Sequence, residues 1–278
     1  MVNLEQIKTF CRQYHIVPAK SRGQNFLLDR NIIQKIVAAA NLSPADTVLE
    51  VGPGLGGLTD FLAKRAGQVI AVELDKKIIL FLQAKLADWA NVRLIEADIL
   101  KLNLSQWGLS NFGYKVVANL PYNITAKFLR NFLANSPKPQ EMILMVQKEV
   151  AQRLTASPGQ LSVLGLAAQF YGQPEILFAV GKNCFWPKPA VDSAVIKITI
   201  NRELPQIEEK LFFRTVKIGF SAKRKQLHNN LAAGFDLSDQ AVKKLLSDLG
   251  LDEKIRAQDL SLDDWLKLAG KLAGKFKI

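Results

Sequence analysis

Four groups of residues in this chain have types and spacings that could do chemistry together. Gly52, Gly54 and Gly57 fit G-x-G-x-x-G directly after an apolar run, Thr47 to Val51. Without Cβ such residues can take φ > 0 and leave room for a nucleotide-like ligand against the main chain. Alone the turn would serve NAD, FAD or S-adenosylmethionine, or be only a tight turn. Glu73 lies twenty-one residues beyond Gly52, where a carboxylate accepts bonds from both hydroxyls of a ribose. Asp98, in Glu-Ala-Asp, follows the next apolar run and could accept a bond from the exocyclic amine of an adenine. Glycine turn, Glu73 and Asp98 together would hold an adenosine, and recognition of a free 2′-hydroxyl speaks against NADP.

The fourth group, Asn119-Leu-Pro-Tyr122, is the sharpest. A dehydrogenase has no need of it, whereas a methyltransferase acting on a planar amine does. The exocyclic nitrogen of adenine is a poor nucleophile because its lone pair is delocalised into the ring. The Asn119 amide oxygen and a backbone carbonyl, that of Leu120, can accept its two N–H bonds and favour a tetrahedral nitrogen. Tyr122 can stack on the base face, and Pro121 fixes the backbone so that the carbonyl points into the pocket.

These groups need strand ends to converge. Apolar runs at Thr47–Val51, Val69–Leu74, Val92–Glu96, Lys115–Ala118, Met142–Val146, Glu175–Val180 and Ala194–Ile200 alternate with helical patterns, among them residues 32–40, 76–86, 125–133 and 161–170. Such alternation predicts a mostly parallel, doubly wound sheet covered by helices, with ligands at the carboxyl ends of its strands. Leu4 to Tyr14 predicts a short helix ahead of it, and Asp29 an N-cap. After Ile200 only helices are predicted, over residues 211–218, 226–231, 241–249 and 264–272, with Ser238 as an N-cap. The expected division is a domain over residues 1–202 and a small helical one over residues 203–278.

Composition narrows the partners. The chain carries 37 basic against 25 acidic residues, net +12, spread along its length rather than gathered in a tail. Phosphate neutralisation makes nucleic acid the expected partner. No apolar run approaches the ~20 residues that span a bilayer, and the first ten residues carry Glu5 where a signal peptide needs an apolar core. With Cys11 and Cys184 far apart and only two histidines, neither a disulfide nor a metal site is expected. A cytoplasmic monomer, with no membrane and no metal, is the resulting expectation.

Gly23-Gln-Asn-Phe-Leu27, Glu50-Val-Gly-Pro-Gly-Leu-Gly56, Glu73-Leu-Asp75, Asp98, Asn119-Leu-Pro-Tyr122, Phe185-Trp-Pro-Lys-Pro-Ala-Val-Asp-Ser193 and Phe220-x-x-Lys-Arg-Lys-x-Leu-x-Asn-Asn-Leu231 resemble the rRNA adenine N6-dimethyltransferases over nearly the whole chain. The nearest branch is the one that acts on small-subunit rRNA. The resemblance implies a Rossmann-like α/β methyltransferase sheet of seven strands with a C-terminal all-helical domain. It also implies S-adenosylmethionine as cofactor. Asn25 and Leu27 would close over it, Gly52 and Gly54 approach its methionine end, Glu73 bind the ribose and Asp98 the adenine amine. Asn119 would serve both sulfonium and target base. Phe185 resembles the aromatic that would stack on the base opposite Tyr122, although Trp186 competes for that role.

The implied substrate is a pair of adjacent adenines in the loop of the 3′-terminal hairpin of small-subunit rRNA, in an immature 30S subunit. Basic residues expected to grip RNA are Lys148, Arg153, Lys188 and the cluster Lys223-Arg224-Lys225, with Lys20, Arg22 and Lys182 as further candidates. The rival expectations are a large-subunit dimethyltransferase of the macrolide-resistance type and a non-catalytic ribosome-assembly factor.

Overall fold

The structure, a computed structural model, describes residues 4–18 and 23–273. Lys20 and Arg22 lie outside the described residues. The chain packs as two units. The first takes in the chain through Ala151 together with Gly172–Ile200, and the second Gln152–Tyr171 with the chain from Asn201 on.

In the first unit the elements are α1 (Leu4–Gln13), β1 (Phe26–Leu27), α2 (Arg30–Ala39), β2 (Thr47–Val51), α3 (Gly57–Ala63), β3 (Gln68–Glu73), α4 (Lys76–Lys85), β4 (Val92–Glu96), β5 (Lys115–Asn119), α5 (Thr125–Ala134), β6 (Glu141–Gln147), α6 (Lys148–Leu154), through which the chain leaves the unit, β7 (Gly172–Val180), β8 (Phe185–Trp186) and β9 (Ser193–Ile200). Seven strands form one sheet in the order β4-β3-β2-β5-β6-β9-β7. All pairings are parallel except those of β9, which runs antiparallel to both β6 and β7.

Local chemistry explains these elements. Residues Met142 to Val146 are wholly buried, as expected of a strand covered on both faces. Pro174 sits in β7, an edge strand, where a missing N–H is tolerated. Asp29 caps α2 as predicted, its Oδ1 accepting from Asn31 N at 2.9 Å and Ile32 N at 3.3 Å. The chain winds from β2 outward through β3 to β4, then returns to place β5 on the other side of β2. That reversal opens a crevice at the carboxyl ends of β2 and β5.

One element was not expected. β1 and β8 pair as a two-residue antiparallel ribbon, Phe26 opposite Trp186 and Leu27 opposite Phe185. It ties the 23–27 segment to the loop ahead of β9.

The second unit is helical: α7 (Val163–Tyr171), α8 (Glu209–Gly219), α9 (Leu227–Phe235), α10 (Asp239–Asp248) and α11 (Leu262–Ala273). Its core holds Trp265, fully buried and stacked on Phe220 at 5.7 Å between centroids. Ser238 caps α10. Residues 152–171, grouped with the first domain on sequence grounds, cluster here, where α7 packs against α11. Helical periodicity shows that α7 has an apolar face but not which partner covers it. Among the described residues no helix is long and apolar enough to cross a membrane.

Candidate active site

A cavity of about 610 Å³ opens along the carboxyl edge of the sheet in the first unit, and all of its lining residues lie between Ile7 and Ile124. Its wall contains Asn25, Leu27, Gly52, Gly54, Glu73, Asp98, Asn119, Leu120 and Tyr122. Four strand ends therefore deliver to one space the residues singled out from their types. The volume is within the range of pockets that enclose a small molecule.

The turn after β2 is left-handed at Gly52 (φ 66°), Gly54 (φ 55°) and Gly56 (φ 70°). The third left-handed glycine is thus Gly56; Gly57, the expected one, opens α3 without positive φ. At Gly54 a Cβ would also lie 3.0 Å from the Phe26 ring, so both conformation and space exclude a side chain there.

Glu73 ends β3, 8% exposed, and its Oε1 accepts from Leu74 N at 2.8 Å and Asp75 N at 2.9 Å. Burial pushes its pKa above the usual carboxylate value, while the Asp75, Leu74 and Gly54 N–H groups oppose that rise. Asp98 follows β4, its Oδ1 accepting from Leu100 N at 3.0 Å.

Asn119 ends β5, and its Nδ2 donates to the Asn25 carbonyl at 3.1 Å. A carbonyl can only accept, so the amide nitrogen must face it and Oδ1 points elsewhere. The 23–27 segment is itself pressed onto the loop after β5. Gly23 has φ 64°, and a Cβ there would lie 3.0 Å from both Tyr122 N and Asn123 Oδ1. Pro121 O accepts from Ile124 N and from Thr125 Oγ1, which closes the turn into α5. The Tyr122 hydroxyl lies 2.6 Å from Ser193 Oγ. Burial raises the Tyr122 pKa, and the bond to Ser193 opposes this. Ser193, fully buried at the start of β9, holds Tyr122 from behind. It stood in a quoted motif, but nothing in its residue type disclosed this contact.

The structure corrects the assignment of Phe185. That side chain is 4% exposed, packs in the core with Ile33 and Val195, and does not line the cavity. The reason is strand alternation: Phe185 and Leu27 share one face of the ribbon, Trp186 and Phe26 the other. Trp186 stacks on Phe26 with centroids 6.3 Å apart, and it is Phe26 that reaches the cavity wall.

The basic candidates divide between the units. Lys148 and Lys188 are exposed in the first, Arg153, Lys223, Arg224 and Lys225 in the second, the last three on the turn between α8 and α9.

Comparison with known proteins matches this geometry. The family model described as "Ribosomal RNA adenine dimethylase" matches residues 19–273. A protein of Dehalococcoides mccartyi strain CBDB1 named "Ribosomal RNA small subunit methyltransferase A" is 44% identical over 273 residues, 98% of this chain and 94% of the relative. One of the same name from Moorella thermoacetica is 41% identical, covering 94% of each chain. Among solved structures, a dimethyladenosine transferase from Plasmodium falciparum aligns with TM-score 0.77 and 25% identity, over 90% of this chain and 98% of that one. A structure titled 23S rRNA methyltransferase ErmE aligns with TM-score 0.73 and 28% identity, over 89% and 99%.

Proposed function

Since this chain belongs to the ribosomal RNA adenine dimethylase family, we propose that it transfers methyl groups from S-adenosylmethionine to the N6 atoms of two adjacent adenines in the 3′-terminal hairpin loop of small-subunit rRNA. The observation that carries this reading is the convergence of Glu73, Asp98, Asn119 and Tyr122 around the Gly52–Gly54 turn in one cavity. The small-subunit branch is favoured because relatives bearing that name reach 44% identity, against 28% for the 23S enzyme. The substrate form is an immature 30S subunit, met by a monomer in the cytoplasm without a metal ion.

The residues present fit the methyl donor. A Cβ at Gly54 would fill the cradle beside Phe26, and the buried Glu50 carboxyl in the wall has an oxygen without a partner. Glu73 holds the ribose hydroxyls, Asp98 the adenine amine, and the glycine turn the methionine end, with Asn25 and Leu27 closing over it. When bound, the donor supplies an electrophilic methyl on a sulfonium.

The chain's own residues do the rest by positioning and electrostatics. Asn119 Oδ1 accepts one N–H of the target amine, while its Nδ2 stays anchored on the Asn25 carbonyl. The second acceptor is the Leu120 carbonyl, since that of Pro121 is engaged by Ile124 and Thr125. These bonds draw the amine lone pair out of conjugation and aim it along the transfer line. Tyr122 stacks on the base, which must leave its own stack to enter, a demand that loop adenines meet readily. The amine proton made acidic by methylation leaves through these acceptors or water, so no strong base is needed. After the first transfer the amine has one donor fewer, and the cavity must still seat it.

Ser193→Ala removes the hydroxyl that fixes Tyr122 and should lower the methyl-transfer rate about tenfold, with cofactor affinity unchanged by calorimetry. A rate equal to wild type would remove Ser193 from the site. The exposed Lys223-Arg224-Lys225 turn contributes to RNA binding through phosphates. Replacing all three with alanine should weaken binding uniformly across RNA sequences and reduce the log–log salt slope by about two to three; an unchanged slope in filter-binding titrations would place the RNA elsewhere. The overall reading is tested by mass spectrometry of rRNA from methyl-free 30S and 50S particles incubated with the enzyme and labelled cofactor. Label on dimethyladenine of the 30S rRNA alone is the expected result, and label on the 50S would assign the chain to the other branch.

A further inference from the structure

Glu50, in β2, forms part of the cavity wall, yet no step above uses it. It is 1% exposed. Its Oε2 and the neighbouring Thr59 Oγ1 are both buried without a hydrogen-bond partner. An ionised carboxylate in such a place needs a cation or several donors to replace lost water. The charged groups facing it are Lys85 on α4, Asp60 on α3 and Glu73 on β3. Lys85, the cation among them, is already engaged by Asp60 Oδ2 at 2.8 Å and by the Leu55 carbonyl at 2.9 Å. Burial first, then the Asp60 and Glu73 carboxylates, push the Glu50 pKa up to about 8, against the opposing pull of Thr59 and Lys85. Before any ligand enters, the carboxyl therefore holds a proton, and that proton can satisfy the orphaned Thr59 oxygen.

The two molecules this cavity must exchange differ in charge. The methyl donor has a sulfonium and a zwitterionic amino-acid end, net +1. The spent product lacks the sulfonium charge and is neutral overall. We propose that Glu50 is the residue by which the cavity tells donor from product: it gives its proton to solvent when the cationic donor binds and keeps it beside the neutral product. The proposal rests on the donor placement given above. Attraction across a water-poor cavity is weakly screened, so ionisation of Glu50 strengthens the hold on the donor. Once the methyl has left, the carboxyl takes up a proton again and the product is released more readily.

Calorimetric titration of the wild-type protein at pH 7 with S-adenosylmethionine and with S-adenosylhomocysteine, in buffers of different ionisation enthalpy, counts the protons released. Release of about one proton is expected for the donor and about none for the product. Glu50→Gln keeps the shape and fixes the neutral state. It should abolish the release and lower donor affinity about tenfold, leaving product affinity within about twofold. Denaturation of the ligand-free protein gives an independent reading. A carboxyl with a raised folded pKa lends stability at low pH that is lost as pH rises through the folded value. The wild-type midpoint should therefore fall relative to Glu50→Gln between pH 4.5 and about 8. Equal proton counts for the two ligands would overturn the proposal and leave the donor site standing; they decide the matter even if Glu50→Gln fails to fold. Failure of the wild-type protein to bind either ligand would overturn the donor site and this proposal with it.

Discussion

Asn119→Ala should reduce methyl transfer to rRNA by about 10²–10³-fold, the effect of removing one pre-aimed hydrogen-bonding group from a reacting centre. The structure gives this side chain little freedom, because the Asn25 carbonyl holds its Nδ2 at 3.1 Å and so commits Oδ1 to acceptance. Alanine removes the acceptor and leaves the carbonyl without its donor. Single-turnover transfer of labelled methyl at saturating cofactor measures the loss directly, and retention of a tenth of the wild-type rate would remove Asn119 from the reaction. Asn119→Asp separates the two contacts. It keeps an acceptor for the target amine but sets a carboxylate oxygen against the Asn25 carbonyl, so it should fall between alanine and wild type. If the alanine variant still binds small subunits, recognition and chemistry are separable, as a role in subunit assembly would require.

Glu73→Ala is expected to have the largest effect on cofactor binding. Hydrogen bonds to a charged group contribute about 1.5–3 kcal/mol, so losing the ribose contact should weaken S-adenosylmethionine about 10- to 100-fold. The carboxylate is also a local organiser: Oε1 gathers the N–H groups of Leu74 and Asp75. Glu73→Gln retains an oxygen for those donors and should recover part of the affinity, which separates the loss of an ordered turn from the loss of ligand contact. Affinities unchanged in the alanine variant would remove Glu73 from the site.

The residues that read clearly from sequence were those whose position follows from strand ends. Gly52, Glu73, Asp98 and Asn119 each terminate or follow a parallel strand, and a parallel sheet forces its carboxyl ends together. What failed to read was set by short-range alternation or by distant partners. β8 is two residues long, too short for any periodicity, and its alternation turns Phe185 into the core rather than toward the base. The choice between Gly56 and Gly57 depends on where α3 begins, one residue of difference in a glycine-rich run. Residues 152–171 carry an apolar helix whose partner, α11, is nearly a hundred positions away in the chain. The buried contacts of Glu50 and Ser193 likewise depend on elements that sequence cannot place side by side.

The cavity is lined wholly by residues up to Ile124, but the hydroxyl that steadies Tyr122 and the strand that clasps Phe26 and Leu27 come from Ser193 and Phe185–Trp186. On an emerging nascent chain, every ligand-touching group is therefore synthesised well before its brace. Helix α7 belongs to the other unit and is made in between, so the brace arrives only after a long loop has closed, an entropically costly step. Competence to hold the target should thus mature late, after the groups that touch it have already been made.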